Sequence, residues 1–493
     1  MTPLTRILRS TSSAALFALA AVAAWASIRP AQAAVHGISG PSFFLVASAD
    51  FVSQPDGASI YSWGYGCDGA PAGFLPGQVG GTGPAPVCLQ MQLPGPTLIV
   101  TEGDSVTVRL RNNLPAAAGN TSIVFPGFTV STLGGVSGAY TQEAASGGGT
   151  VTYSFVATTP GTHAYYSGTQ ADLQIEMGLF GVIIVRPKSP PASCVRTSAF
   201  SLSTAAYDHP STCYDREYLF QISEIDSRIH DQALAQVKAC PTGTCPEIRV
   251  KTEPYRPNYY LLNGRSMPDD MDTAYAPGYL HQPYNCNPHM HPGELVLMRI
   301  VGQGRWQHPY HFHGNHARVL ARDGNLIVSA TDPGALAGPL LFTTPTVSGQ
   351  TQDQIFTWTG KGLNWDVYNH HPGDGTVCTP DANGYHSVPT DPNFGEWCQD
   401  HEKPIPVTPP DPNIVAIGQW YGGTPYLGLQ PAGSGFTTTN EPPGTLNQNP
   451  EAGYAYMWHS HNEREITTND VFPGGILTML LVDPPTWFID ESL

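Results

Sequence analysis

Alternation of apolar and polar residues dominates this chain. In "SVTVRLRN" (105–112) Val106, Val108 and Leu110 alternate with polar residues, so an extended segment has one dry face and one wet face. The preceding "TLIV" (97–100) reads as another strand, set off by the "EGD" turn at 102–104. "VTYSFVATTPGTHAYYSG" (151–168) and "GLFGVIIV" (178–185) add further strands and close an all-β unit near Pro187. No heptad or long amphipathic helix interrupts this unit.

The plan then repeats. After a Pro/Ser/Cys-rich link, "EYLFQISEID" (217–226) opens a second unit. "NPHMHPGELVLMRIVG" (287–302) parallels "PGPTLIVTEGDSVTVRLRN" (94–112), with a Pro/Gly turn and an acidic residue ahead of an alternating strand. "GYAYMWHSHN" (453–462) with "FPGGILTMLLV" (472–482) parallels "GTHAYYSGTQADLQIEMGLFGVIIV" (161–185). These correspondences predict a duplicated β-sandwich. Residues 34–190 form its first unit, 191–214 the link and 215–493 the second unit. Residues 364–450, rich in Gly, Pro, Asn and Asp, are a long loop insertion in the second unit, a candidate lid or interaction surface.

The first 33 residues read as a secretory leader: Arg6 and Arg9, an apolar run from Ala14 to Ala26, and Ala31-Gln32-Ala33 as cleavage site. The run is too short for a membrane span, and no later one reaches that length. The chain is therefore expected to work outside the cytoplasm, in a periplasm or extracellular space. Loss of the leader, which carries three arginines and no acids, takes the net charge from −17 to −20. Such a surface repels nucleic acid and anionic membranes and attracts cations. Nine cysteines in an exported chain favour disulfides. Proximity along the chain suggests Cys67–Cys88, Cys194–Cys213, Cys240–Cys245 and Cys378–Cys398, leaving Cys286 as a buried thiol.

Histidines carry the candidate chemistry. "WQHPYHFHGNH" (306–316) holds His308, His311, His313 and His316, and "MWHSHN" (457–462) holds His459 and His461. Residues i and i+2 of a strand share a face about 7 Å apart, so each His-x-His pair points one way. If the two strands come together, four imidazoles converge into a site suited to copper, with zinc the weaker candidate. Parity puts His308 and Ser460 on the opposite face, where they would meet at a separate place. His316 lies past the Gly314 turn and reads as a supporting or surface residue. His289 and His291 form another i,i+2 pair ahead of the strand 293–301. If "WQHPYHFH" returns from that strand in a hairpin, they sit at the sandwich's other end. His370-His371 fall in the insertion and read as solvated.

At these residues the chain resembles the multicopper oxidase superfamily, built from cupredoxin domains, over roughly 90–190 and 215–485. "HPYHFHG" is similar to the family's His-Pro-x-His-x-His-Gly motif and "WHSH" to its terminal His-Cys-His. The resemblance implies two tandem cupredoxin-like Greek-key sandwiches and copper as cofactor. It assigns His311 to a type 2 copper, His313, His459 and His461 to a type 3 pair, and His308 to a type 1 blue site. It also implies a homotrimer like that of two-domain oxidases and nitrite reductases.

Departures from the family are as informative. "SIVFPG" (122–127) and "YYSGT" (165–169) occupy its first-domain histidine segments, so Val124, Pro126, Tyr166 and Gly168 replace ligands. Ser460 replaces the type 1 thiolate, and a hydroxyl is no equivalent. The family's next histidine falls on Ile466, and "NEREITTNDVFP" (462–473) has no histidine, cysteine or methionine in any register. Glu463, Glu465 and Asp470 there read as a solvated loop.

Three functions follow. The preferred one is a copper protein with a single histidine-only site, redox-active, with Glu463 or Glu465 as proton acceptor. The second is a non-catalytic metal-binding or structural protein. The third is a subunit of a larger oxidase whose partner chain completes the site. Neither the substrate nor a catalytic residue is legible.

Overall fold

The structure is a computed structural model describing residues 35–75, 87–194, 204–240, 245–361, 377–388, 395–401, 423–426, 453–483, 487 and 489. The leader, His370-His371 and most of the 364–450 insertion lie outside the described residues.

Burial follows the alternation. Val106, Val108 and Leu110 are buried while Ser105 and Arg109 are exposed, the pattern of a strand with one dry face. Each such side chain contributes about 1.5–3 kcal/mol over its exposed state. Ser105–Asn112 lies between Ser42–Ser53, parallel, and Thr150–Val156, antiparallel, in one five-stranded sheet. The facing sheet runs Gly161–Tyr166, Phe180–Arg186, Leu98–Thr101, Gly37–Ser39, Phe74–Leu75. Trp63, Tyr65, Phe125, Tyr153 and Tyr165 fill the space between them.

The second sandwich repeats the arrangement. Leu295–Gly302 lies between Arg216–Ile225, parallel, and Thr351–Thr357, antiparallel. The facing sheet runs His289–Met290, Leu477–Val482, Gly453–Ser460, His308–Phe312, Thr343–Thr346. Phe220, Tyr310, Phe312, Phe356 and Trp458 form an aromatic core between the layers. The fold is thus all-β with two cupredoxin-like sandwiches, and residues Ala33–Leu493 cohere as one compact unit.

Two features depart from expectation. Leu295–Gly302 and His308–Phe312 do not form a hairpin; they belong to opposite sheets. The Glu224 carboxylate accepts hydrogen bonds from the Arg305 and Trp306 amides at 2.6 and 2.8 Å, which holds the crossing loop in place. A 13-residue helix, Ser227–Ala239, also follows "EYLFQISEID". Asp226 caps it by accepting from the Arg228 amide, and Ile229 and Ala233 are buried in the first sandwich's core. Alternation gives no warning of it, because its apolar positions are few. All four expected disulfides form, and Cys286 is free and buried. No described helix is long and apolar enough to cross a membrane.

Candidate metal centre

His308–Phe312 and Gly453–Ser460 are antiparallel neighbours, with Tyr310 opposite Ser460, His311 opposite His459 and Phe312 opposite Trp458. Tyr310, Phe312, Trp458 and Ser460 are completely buried on the inner face. The pleat therefore turns His311 and His459 outward. His313 and His461 each lie one period further along. Backbone bonds from His313 to Met457 and from His461 to Pro309, at 3.2 and 2.8 Å, extend the pairing to both. Gly314 ends the strand at φ 102°, and a Cβ there would press on Tyr456 and Phe356.

The four outward rings come together. His311 has its ring centre 4.8 Å from that of His313, 5.4 Å from His459 and 4.9 Å from His461. His311, His313 and His459 each offer a ligand nitrogen within 4.8 Å of the others, and His461 flanks them. The Nε2 atoms of His459 and His313 are 3.3 Å apart. Two nitrogens each about 2.0 Å from one ion at roughly tetrahedral angles are separated by just this span.

Two of the imidazoles are also in the right charge state. Burial, then the charges of His313, His459 and His461, lower the pKa of His311 to about 4. Burial likewise takes His459 to about 4, against a backbone bond that raises it. Both rings are neutral near pH 7, with a lone pair available. His459 Nδ1 donates to the Ser460 carbonyl at 2.7 Å, leaving Nε2 as its donor toward an ion. His311 Nδ1 lies 2.7 Å from the Thr343 hydroxyl. His316 is exposed and packs on Phe342.

His308 stands apart from these four. Its Nδ1 lies 2.8 Å from Glu465 Oε2 and its Nε2 2.9 Å from Glu224 Oε2, all with side chains at most 2% exposed. Burial alone would lower its pKa, but hydrogen bonds and charge from Glu224 and Glu465 raise it to about 9. Both ring nitrogens of this imidazolium are engaged, so His308 offers no lone pair. Ser460 donates to the same Glu465 Oε2 at 2.5 Å. His308 and Ser460 thus meet on the inner face as parity indicated, across a carboxylate.

Glu465 corrects the reading of its segment as a solvated loop. It is 1% exposed, and it faces away from the outward histidines that it was expected to serve. Glu224 escaped notice because the acids of "QISEID" carry no motif. Tyr255 extends the network by donating to Glu224 and Glu176 at 3.2 and 2.6 Å.

The first-domain counterparts gather without imidazoles. Val124 pairs with Tyr166, and a Cβ on Gly168 would lie 2.8 Å from the Val124 side chain. His289 is held by Asp483 at 2.6 Å and His291 by Glu294 at 3.1 Å. His289 pairs with Leu481 while His459 pairs with Leu477, so about 13 Å of strand separates them.

Comparison with known proteins finds partial likenesses. The multicopper oxidase family model matches residues 81–190. Copper resistance protein A of Pseudomonas syringae pv. tomato is 33% identical over 119 residues, 24% of this chain and 19% of that protein. A multicopper oxidase of Talaromyces pinophilus is 34% identical over 118 residues, 23% of this chain and 19% of its own. The chain spans less than a fifth of each relative's length. The crystal structure of a blue copper oxidase from Nitrosomonas europaea aligns with a TM-score of 0.47 and 16% identity, over 89% of this chain and 85% of that one. Residues 81–190 are thus similar to multicopper oxidases, and copper is the metal that this likeness implies. The imidazole set of His311, His313, His459 and His461 fits it.

Proposed function

We propose that this chain is an exported copper oxidoreductase with one histidine-only copper centre, formed by His311, His313, His459 and His461. We read it as two domains, 34–190 and 215–493, joined by 191–214, the first kept for packing. The observation that carries the proposal is the 3.3 Å approach of two imidazole nitrogens beside a third. Copper there would supply a one-electron couple. The protein's own contributions are orientation and charge. The Ser460 carbonyl and the Thr343 hydroxyl fix two rings, neighbouring imidazoles help keep His311 and His459 unprotonated, and Phe342 covers His311.

The family's electron-entry site is replaced. A serine, two glutamates and an imidazolium fill its place, so electrons would reach the centre directly from a substrate at the outer face. The test is copper content and oxygen consumption with phenols, metal ions or nitrite, on wild type and His313→Ala. Copper without turnover would favour the non-catalytic reading; loss of neither copper nor turnover in the variant would refute the centre.

A further inference from the structure

Oxidisable rings line the way from the histidine centre into the core. The inner face of the strand Gly453–Ser460 carries Tyr454, Tyr456 and Trp458, all completely buried. Trp458 is tied to the centre: it precedes His459 in the chain, and its indole nitrogen donates to the His313 carbonyl at 3.0 Å. Tyr456 follows at the strand's same-face spacing of about 7 Å. The Trp358 indole nitrogen donates to the Tyr456 hydroxyl at 2.6 Å, with ring centres 6.1 Å apart. Beyond Trp358 the series turns toward the surface. A Cβ on Gly360 would lie 3.6 Å from the Trp358 ring and 4.0 Å from the Trp397 Cβ, so these side chains approach across a glycine. Trp397 and Tyr385 are half-buried, with ring centres 5.5 Å apart. Thr359 Oγ1, next to Trp358, also lies 3.1 Å from the Tyr385 hydroxyl.

Filling a core does not by itself call for these rings. The first sandwich, with Tyr166 at the place of His459, keeps a ring at Tyr165 but has Gly161 and His163 at the places of Tyr454 and Tyr456. The full series thus accompanies the histidines. Tyrosine and tryptophan give up an electron far more readily than phenylalanine or aliphatic side chains. Electron transfer slows exponentially with the gap, so several short hops outrun one long one.

We propose that Trp458, Tyr456 and Trp358 carry oxidising equivalents from the histidine centre to Trp397 and Tyr385 near the surface. The proposal rests on the copper reading above. Cu(II) alone is too weak to oxidise an indole; the route discharges peroxide that meets the reduced centre. Hydrogen peroxide becomes two waters by taking two protons from solvent and two electrons, one from Cu(I) and one from Trp458. Trp458 is left as an indole radical cation, which keeps its N–H proton because the His313 carbonyl is too weak a base to remove it. It recovers its electron from Trp358 through Tyr456. The Tyr456 phenolic proton stays, because the Trp358 indole at its oxygen is a donor only. Trp397, or Tyr385 with release of its phenolic proton to solvent, then refills Trp358, and an organic reductant from solution refills that residue. The ligand imidazoles are thereby spared oxidation.

The experiment mixes hydrogen peroxide with the reduced, copper-loaded full chain and a nitroso spin trap, and maps the trap by peptide mass spectrometry. Wild type carries the trap on Trp397 or Tyr385. Trp358→Phe shows the same Cu(II) signal after reaction but loses that adduct, and oxidation of His313 and His459 rises. An adduct as abundant in Trp358→Phe, or in the metal-free chain, as in copper-loaded wild type overturns the route. A wild type with its Cu(II) signal and no adduct overturns the route alone; a wild type without a Cu(II) signal refutes the centre and the route with it. Should Trp358→Phe fail to fold, Tyr456→Phe, which removes one oxygen atom, replaces it, and an undiminished adduct there overturns the route equally.

Discussion

His308 Nδ1 sits 2.8 Å from Glu465 Oε2, a buried ion pair where a blue copper protein would keep an open imidazole. Glu224 closes the other nitrogen at 2.9 Å. Restoring the missing sulfur alone therefore does not restore a blue site. Ser460→Cys, loaded with copper, should show no thiolate-to-copper absorption beyond that of wild type. An intense new visible band would mean that His308 leaves its carboxylates readily.

The same pair should matter for stability. Glu465→Gln keeps the shape but removes the charge that faces a buried imidazolium and the hydroxyl of Ser460. Removing one partner of a buried pair costs about 3–5 kcal/mol, and denaturant titration should find a loss of that order. A change near zero would show that Glu224 alone suffices.

Stability should also pass through a maximum with pH in the metal-free protein. His308 has its folded pKa raised to about 9, so its contribution is fully present below about 6.5 and is lost as pH rises through 9. His311 and His459 have theirs lowered to about 4, so the unfolded chain binds more protons between about 4 and 6.5. Stability therefore climbs with pH across that lower window and declines across the upper one. Unfolding midpoints measured from pH 4 to 9 check both limbs, and Glu465→Gln should flatten the upper one.

The grouping of the four histidines was legible because strand parity is a strict rule. His311, His313, His459 and His461 share a face in "HPYHFH" and "WHSH" whatever else the chain does, and His308 and Ser460 share the other. The internal repeat likewise announced two sandwiches, and cysteine proximity announced four disulfides. What parity cannot supply is the partner from a distant strand. Glu224 is 84 residues from His308, and only the packing of the two layers brings them together. Glu465 looked solvated because its neighbours Glu463 and Arg464 are exposed, yet the short turn after Asn462 swings it inward. The expected hairpin failed for a related reason: apolar alternation marks a strand but not the sheet it joins. The Ser227–Ala239 helix was hidden by its weak apolar stripe.

The central claim is that four outward imidazoles on two adjacent strands hold the copper. Paramagnetic resonance of the copper-loaded protein, quantified per chain and repeated on a folded His313→Ala variant, tests it most directly. The account predicts one equivalent of nitrogen-coordinated Cu(II) in wild type and its loss in the variant. An unchanged signal in His313→Ala would contradict it.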